Sequence, residues 1–400
     1  VIGEGEEADA ELTALYRRAR DADWSKAEFL REAAKIQGVY VPSLYEFTYN
    51  PDGTISGIIP KDGAPKTVTK RIIQNLDESY FPTHTIVPST GIVHDRTVLE
   101  LFRGCIRGCR FCQAGYVYRP VRRKSRDTLI RQAIDALSDS GYEEISLSSL
   151  STSDYKELDG LCDGLLEWCE PRKVSLSLPS LRADNFSMEL MKRIQKVRKS
   201  GLTFAPEAGS QRMRDVINKN VTEEDILNSC RTAFEGGWSS VKLYFMMGLP
   251  TETDEDIIAI SDLAFKVLQA WKQYAKNKSR GVRITVSTSC FVPKPMSPFQ
   301  WEAQNSMEEF RRKQQLLKDS MRSKAISYSW HDSSVSFIEA VLALGDRRLC
   351  PVLESVFEKS GGLAAWEEYF SEEAWTEAFA ENGVDPSFYA NREKGMDEIV

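Results

Sequence analysis

The chain reads as an α/β protein: a partial (β/α)6 TIM-type barrel with an N-terminal helix and hairpin connector and a C-terminal helical extension. Three observations predict this. From about residue 97, short apolar runs with strand character alternate six times with amphipathic stretches, the pattern of a parallel sheet covered by helices. Crossovers between parallel strands are right-handed, so six successive units curl toward a barrel. The 400 residues suffice for one large barrel with accessory pieces, or for two to three ordinary domains, and no run of about 18 apolar residues diverts the chain into a membrane.

Taken in order, residues 1–38 come first. VIGEGEE is a strand end running through a Gly turn into a helix over 6–20, with Leu12, Leu15, Tyr16 and Ala19 on one face. The GxG lacks the third glycine of a dinucleotide fingerprint. Ser25 and Glu28 form a capping box for a second helix that ends at Gly38. Residues 39–95 read as a connector built on a hairpin over 45–59 around Asn50-Pro51-Asp52-Gly53. The barrel is expected over 96–303, with strands at 97–102, 143–149, 174–178, 202–205, 240–247 and 283–289. Its helices fall at 125–139, 155–170, 188–199, 222–235 and 254–276. Residues 304–400 read as helical, over 306–325, 334–344, 347–359 and 364–380.

Composition narrows the class further. The apolar and charged fractions, 42% and 28%, are those of a globular protein. Eight cysteines without close, even pairing argue for reduced thiols and a cytoplasmic setting. The net charge of -7 disfavours indiscriminate nucleic-acid binding but leaves room for local basic patches.

The chemistry concentrates in LFRGCIRGCRFCQAGYVY, residues 101–118, where Cys105, Cys109 and Cys112 are spaced three and then two residues apart. A structural zinc loop with this spacing wants a fourth protein ligand, and no second Cys-x-x-Cys or His-x-x-x-His pair exists. Gly104, Gly108 and Gly115 suit a loop whose backbone must approach inorganic sulfur. The motif resembles the cluster loop of the radical S-adenosylmethionine (SAM) enzymes. The resemblance implies an open six-stranded barrel and a 4Fe-4S cluster held by these three thiolates, with one iron left to chelate SAM. It also places Phe111 beside the adenine.

In a barrel of this kind chemistry sits at the strand ends, and the resemblance extends there. After the second strand, Ser148 and Ser149 stand where the family usually has a Gly-Gly-Glu-like segment for the methionine amino group; ordinary turn chemistry before a helix cap is the other reading. Arg182, after the third strand, offers a fork for the SAM carboxylate, or a surface pair with Asp184. FAPEAGSQRMRDVINK, residues 204–219, resembles the Glu-x-Gly-Ser segment of methylthiotransferases and Elongator-like enzymes. There Glu207 would accept from the ribose hydroxyls, Gly209 would permit close helix approach, and Ser210 would open a helix whose N–H groups face the ligand. A plain helix-capping role for Glu207 stays open. Gly248 and Leu249, with Pro250, fit the adenine-side loop, and Lys294 in the Pro-rich exit would face the mouth. Cys290 is a candidate radical quencher or a small buried apolar residue.

Residues 1–38 resemble the last strand and helix of the cobalamin-type Rossmann domain that precedes the radical domain in many relatives, including one uncharacterised bacterial family that His331-Asp332 and Gly345-Asp346-Arg347-Arg348 also resemble. The expectation is an N-terminally truncated chain that would need that upstream domain to bind cobalamin. The implied activity is reductive cleavage of SAM to a 5'-deoxyadenosyl radical, for methylation or methylthiolation of an unnamed substrate, with a flavodoxin- or ferredoxin-type reducing partner. Arg119, Arg122, Arg123, Lys124 and Arg126 would receive RNA phosphates or form a solvated face. A non-enzymatic electron-transfer or cluster-carrier protein is the rival class, in which Glu207 and Gly209 would be superfluous.

Overall fold

The computed structural model describes residues 1–178, 202–279 and 281–398. The expected 188–199 helix and Arg182 lie outside the described residues.

Parallel strands backed by helices form the centre, as the alternation predicts. Strands β3 (Thr97–Glu100), β6 (Glu144–Ser148) and β7 (Ser175–Ser177) make a three-stranded parallel sheet in the order β3-β6-β7. Strands β8 (Leu202–Glu207), β9 (Ser240–Met247), β10 (Arg283–Cys290) and β11 (Ile326–Trp330) make a four-stranded parallel sheet in the order β11-β10-β9-β8. Among the described residues no ladder joins the two sheets, so a closed or continuous six-stranded barrel is not what the hydrogen bonds show. They nevertheless share one apolar core, in which Leu99, Ile145, Leu176, Phe204, Leu243 and Ile284 all pack.

The alternation in β9 explains which face is which. Val241, Leu243, Phe245 and Met247 are buried against the helices, while Lys242, Tyr244 and Met246 point to the other, more open face. Helices Glu223–Glu235 and Asp254–Tyr274, both opened by capping boxes, pack side by side on the apolar face.

Strand β11 is an addition to the expected elements. The run Ile326-Ser327-Tyr328-Ser329-Trp330 alternates with period two and pairs in parallel with β10, but the preceding helix, which ends at Ser320, masks it when 304–400 is read as wholly helical. The first strand also differs from expectation. It breaks at Leu101, whose N–H reaches Ser148 O at 2.9 Å and whose carbonyl accepts from Lys124 N at 2.9 Å. Beyond that break β4 (Phe102–Arg103) leaves the sheet and pairs antiparallel with β5 (Arg122–Arg123). The thiol loop is therefore the excursion of a small hairpin.

At the N-terminus, helix Gly5–Asp21 packs on helix Lys26–Ala33 and on the connector through Leu12, Leu15, Phe29, Leu44 and Tyr45. The hairpin of β1 (Tyr45–Tyr49) and β2 (Ile55–Pro60) closes with Gly53 in the left-handed region, φ 87°, its N–H on Asn50 O at 2.9 Å. The C-terminal helices pack as a separate apolar cluster around Val341, Val352, Trp375 and Phe379. Arg347 and Arg348 clamp them to the hairpin: Arg347 lies over the Phe47 ring at 4.0 Å, and Arg348 bonds Gly53 O at 2.9 Å.

Candidate active site around the three-cysteine loop

Cys105 is buried at the base of the loop, and Cys109 and Cys112 are half-buried. None is in a disulfide. Two sulfurs already have backbone donors at 3.4 Å, Arg107 N to Cys105 Sγ and Gly115 N to Cys112 Sγ. Such donors stabilise charge on sulfur, the state in which a thiol binds iron. Among the described residues no group of three or more His, Cys, Asp or Glu is gathered around one point as for a single ion. The thiolates of a cuboidal cluster each take a different iron, so a loop presenting three spaced sulfurs fits that group.

The glycines have local reasons. Gly104 has φ 88°, and a Cβ there would stand 2.7 Å from Tyr118 O, so the base of the loop requires glycine where it passes its own return strand. A Cβ on Gly108 would meet Asn218 Nδ2 at 3.0 Å. Close approach to sulfur, the expected reason, is visible only at Gly115, where a Cβ would lie 3.6 Å from Cys112 Sγ.

The loop is tied to the ends of several strands. Arg107 forms a forked ion pair with Asp154, Nε–Oδ2 2.9 Å and Nη2–Oδ1 2.5 Å, reaching the segment after β6. Arg110 N bonds Ile217 O at 3.0 Å and Asn218 Nδ2 bonds Gly108 O at 2.8 Å, reaching the segment after β8. Gln113 Nε2 bonds Pro295 O at 3.0 Å, reaching the exit after β10. Around Phe111 these segments meet in an apolar cluster with Ala208, Met213, Ile217, Leu249, Phe291 and Phe299. Phe111, Ala208 and Leu249 thus stand together although 138 positions separate the first from the last.

Glu207 ends β8 at a bulge, with φ 67°, a left-handed conformation that costs energy in a non-glycine residue. Its carboxylate bonds Lys219 Nζ at 3.0 Å, and both side chains are largely buried. It is not the cap. Ser210 caps helix Gln211–Val216, accepting from Met213 N at 3.1 Å and donating to Asp256 Oδ1 at 2.6 Å, so that hydroxyl is engaged. Asp256 is held down to about 2: burial raises it, but bonds from Arg212, Ser210 and Thr253 outweigh that. A Cβ on Gly209 would fall 2.3 Å from Ile260 N, so the glycine permits contact with helix Asp254–Tyr274. Arg214 is fully buried and donates to Ala208 O at 3.0 Å and Gly209 O at 2.9 Å, fixing the same turn from below.

Gly248 is left-handed, φ 81°, and its N–H donates to Glu252 Oε1 at 2.7 Å. Glu252 is paired with Lys313 at 2.9 Å, with side chains only 3% and 6% exposed, and burial pushes its carboxyl above the ordinary range against the pull of Lys313. Leu249 is buried in the Phe111 cluster. Ser148 ends β6 half-buried, and the Ser149 hydroxyl is 2.9 Å from that of Thr152.

Lys294 is ion-paired with Glu339 at 2.5 Å. Cys290 is buried, its thiol pushed up to about 11 by burial, which fits a small apolar residue. The basic run divides: Arg119, Arg123 and Arg126 are exposed, as a solvated face requires, while Arg122 and Lys124 turn inward. Arg122 is bonded to Glu4 at 2.6 Å, which ties the N-terminal segment to β5, and Lys124 reaches Gln132 at 3.1 Å on the helix that follows. The pairs Arg107–Asp154, Glu207–Lys219 and Glu252–Lys313 went unread in the sequence. Asp154 alone gave a signal, as a carboxylate just beyond an expected strand end.

Residues 99–264 match the family profile described as Radical SAM superfamily, and residues 1–42 match one described as Radical SAM proteins, N-terminal. The chain is a member of the radical SAM superfamily, and membership implies a 4Fe-4S cluster and SAM. It is similar to the uncharacterised protein MJ0966 of Methanocaldococcus jannaschii, at 33% identity over 76% of this chain and 64% of that one. It is similar to the putative methylthiotransferase MJ0865 of the same organism, at 25% identity over 41% of this chain and 38% of that one. The chain thus spans less than two thirds of the length of either relative. Among solved structures, the radical SAM methyltransferase TsrM of Kitasatospora setae overlays at TM-score 0.48 and 13% identity, covering 76% of this chain and 53% of that one. Among the described residues no helix is long and apolar enough to cross a membrane.

Proposed function

We propose that this chain is the catalytic unit of a radical SAM enzyme that cleaves SAM reductively and uses the resulting radical to methylate or methylthiolate a substrate, with RNA one candidate. The observation that carries the reading is the convergence of the three-thiol loop, through Phe111, with the strand-end segments of Ala208, Leu249 and Phe291. The similarity to a putative methylthiotransferase supports the transfer class.

In this reading Cys105, Cys109 and Cys112 would hold the cluster. When bound, the cluster supplies one electron that splits SAM into methionine and a 5'-deoxyadenosyl radical. The protein binds, orients and excludes water. Glu207 exchanges its bond to Lys219 for the ribose hydroxyls, and Phe111 with the Gly248-Leu249 main chain lines the adenine side. Ser148 and Ser149 stand toward the methionine end; Arg182 completes it in the proposal. Residues 1–38, two helices and a single bridge at Gly3, do not by themselves supply a cobalamin site in this reading. The test is anaerobic reconstitution with iron and sulfide, reduction, and incubation with SAM. The expected product is 5'-deoxyadenosine; an iron-sulfur carrier would yield none.

A further inference from the structure

Three cations beside the thiol loop have no carboxylate partner among the described residues, in a chain of net charge -7 whose exposed arginines elsewhere include Arg312, paired with both Asp254 and Glu309. Arg119 is exposed, stacks over the Tyr116 ring at 4.7 Å, and donates to Arg107 O at 3.1 Å. Lys70 donates to Val117 O at 2.8 Å and to Arg119 O. Arg110, also exposed, donates to the carbonyls of Asp215 and Val216. A carbonyl orients a cation without cancelling its charge, so the loop is rimmed by three fixed, un-neutralised positive groups. On the same loop Ile106, Val117 and Tyr118 are 59%, 37% and 50% exposed. Exposed apolar side chains next to fixed charge are the composition of a transient docking patch.

We infer that Lys70, Arg110 and Arg119, with Ile106, Val117 and Tyr118, form the docking surface for an acidic one-electron carrier of the flavodoxin type. The inference rests on the proposed function, which requires an electron from outside. The carrier loses one electron and is oxidised by one equivalent, and the centre held by the thiols is reduced by one. Charge complementarity selects the partner: un-neutralised cations on a protein of net charge -7 attract an acidic carrier to this patch. An RNA would need a longer basic strip; of the cations that follow the loop, Arg122 and Lys124 are buried and Arg126 is paired with Asp127 at 3.3 Å, which leaves Arg123 exposed beside the patch.

The test uses the full reconstituted chain and a flavodoxin labelled for fluorescence anisotropy. The double variant Lys70→Gln/Arg119→Gln keeps amide donors for the carbonyls and removes the charge. The expected result is at least a tenfold loss of flavodoxin affinity, a loss of similar size for the unmodified chain in high salt, and affinity retained in Arg119→Lys. The 5'-deoxyadenosine yield should fall when flavodoxin hydroquinone is the reductant and hold when dithionite is. Unchanged affinity in the double variant would overturn the inference. So would salt-insensitive binding, a parallel fall with dithionite, or an oligoribonucleotide that displaces the flavodoxin. If dithionite gives the unmodified chain no 5'-deoxyadenosine, the proposed function fails, and the binding assay still decides the docking surface.

Discussion

Lys313→Met tests whether a buried ion pair holds the Gly248-Leu249 turn. The Glu252 carboxylate is almost fully enclosed and accepts from Lys313 Nζ at 2.9 Å, from Gly248 N at 2.7 Å and from the Leu249 main chain. Removing the ammonium leaves a buried charge with backbone donors alone, a loss of about 3–5 kcal/mol when a single member of such a pair is deleted. Against a total stability of about 5–15 kcal/mol that is a large fraction. The loss is limited by protonation. Glu252 already sits above the ordinary carboxylate range because of burial, and without Lys313 it rises further. A carboxyl whose folded pKa exceeds its unfolded one binds protons preferentially in the folded state, so the deficit of the variant should be largest at neutral pH and shrink as pH falls through the folded value. Glu252→Gln/Lys313→Met removes both charges and should recover much of the loss, since replacing a whole buried pair is often neutral. Urea unfolding followed by tryptophan fluorescence, at pH 7 and pH 5, reads all three quantities. A single variant within about 0.5 kcal/mol of the parent, or a double variant no better than the single one, would refute the reasoning.

Changing Cys105, Cys109 or Cys112 to Ala should abolish the iron-sulfur absorbance, whereas the same change at Cys162, Cys169, Cys230, Cys290 or Cys350 should retain it; a fourth essential cysteine would contradict the open-iron arrangement. Glu207→Ala should retain the cluster and weaken SAM binding by about 1.5–3 kcal/mol, the scale of a hydrogen bond to a charged group, and calorimetry with unchanged affinity would remove Glu207 from the site. Gly209→Ala would drive a Cβ to 2.3 Å from Ile260 N and 2.6 Å from Ala259 C, backbone atoms that cannot swing aside, and should cost about 1–3 kcal/mol in unfolding. A melting temperature equal to the parent's would show that the helix contact is dispensable. Asp256, held at about 2, contributes stability that is fully present above the unfolded carboxylate value of about 3.9 and is lost as pH falls toward the folded value. Asp256→Asn should flatten that part of the acid limb, and an acid limb identical to the parent's would be the contrary result.

By itself the sequence determined what is local. Cysteine spacing is covalent, so three thiols on one short loop were legible without a fold. The helix starts at Ser25, Thr222 and Thr253 follow from caps reaching three residues along the chain. Strand and helix alternation carried the parallel α/β class because periodicities of 2 and 3.6 are written residue by residue. Tertiary structure decided which distant groups meet. Glu4 finds Arg122, 118 positions away; Arg107 finds Asp154, 47 away; Glu252 finds Lys313, 61 away. No local period encodes such separations, so a basic run after the thiol loop looks the same in sequence whether it faces solvent or is buried on a glutamate. Strand β11 stayed hidden because five alternating residues after a helix are a weak signal until the edge of β10 offers them a partner. The same holds for Phe111. Its aromatic character was plain from the chain, but its place among Ala208, Leu249 and Phe291 exists only because parallel strands deliver their ends to one side.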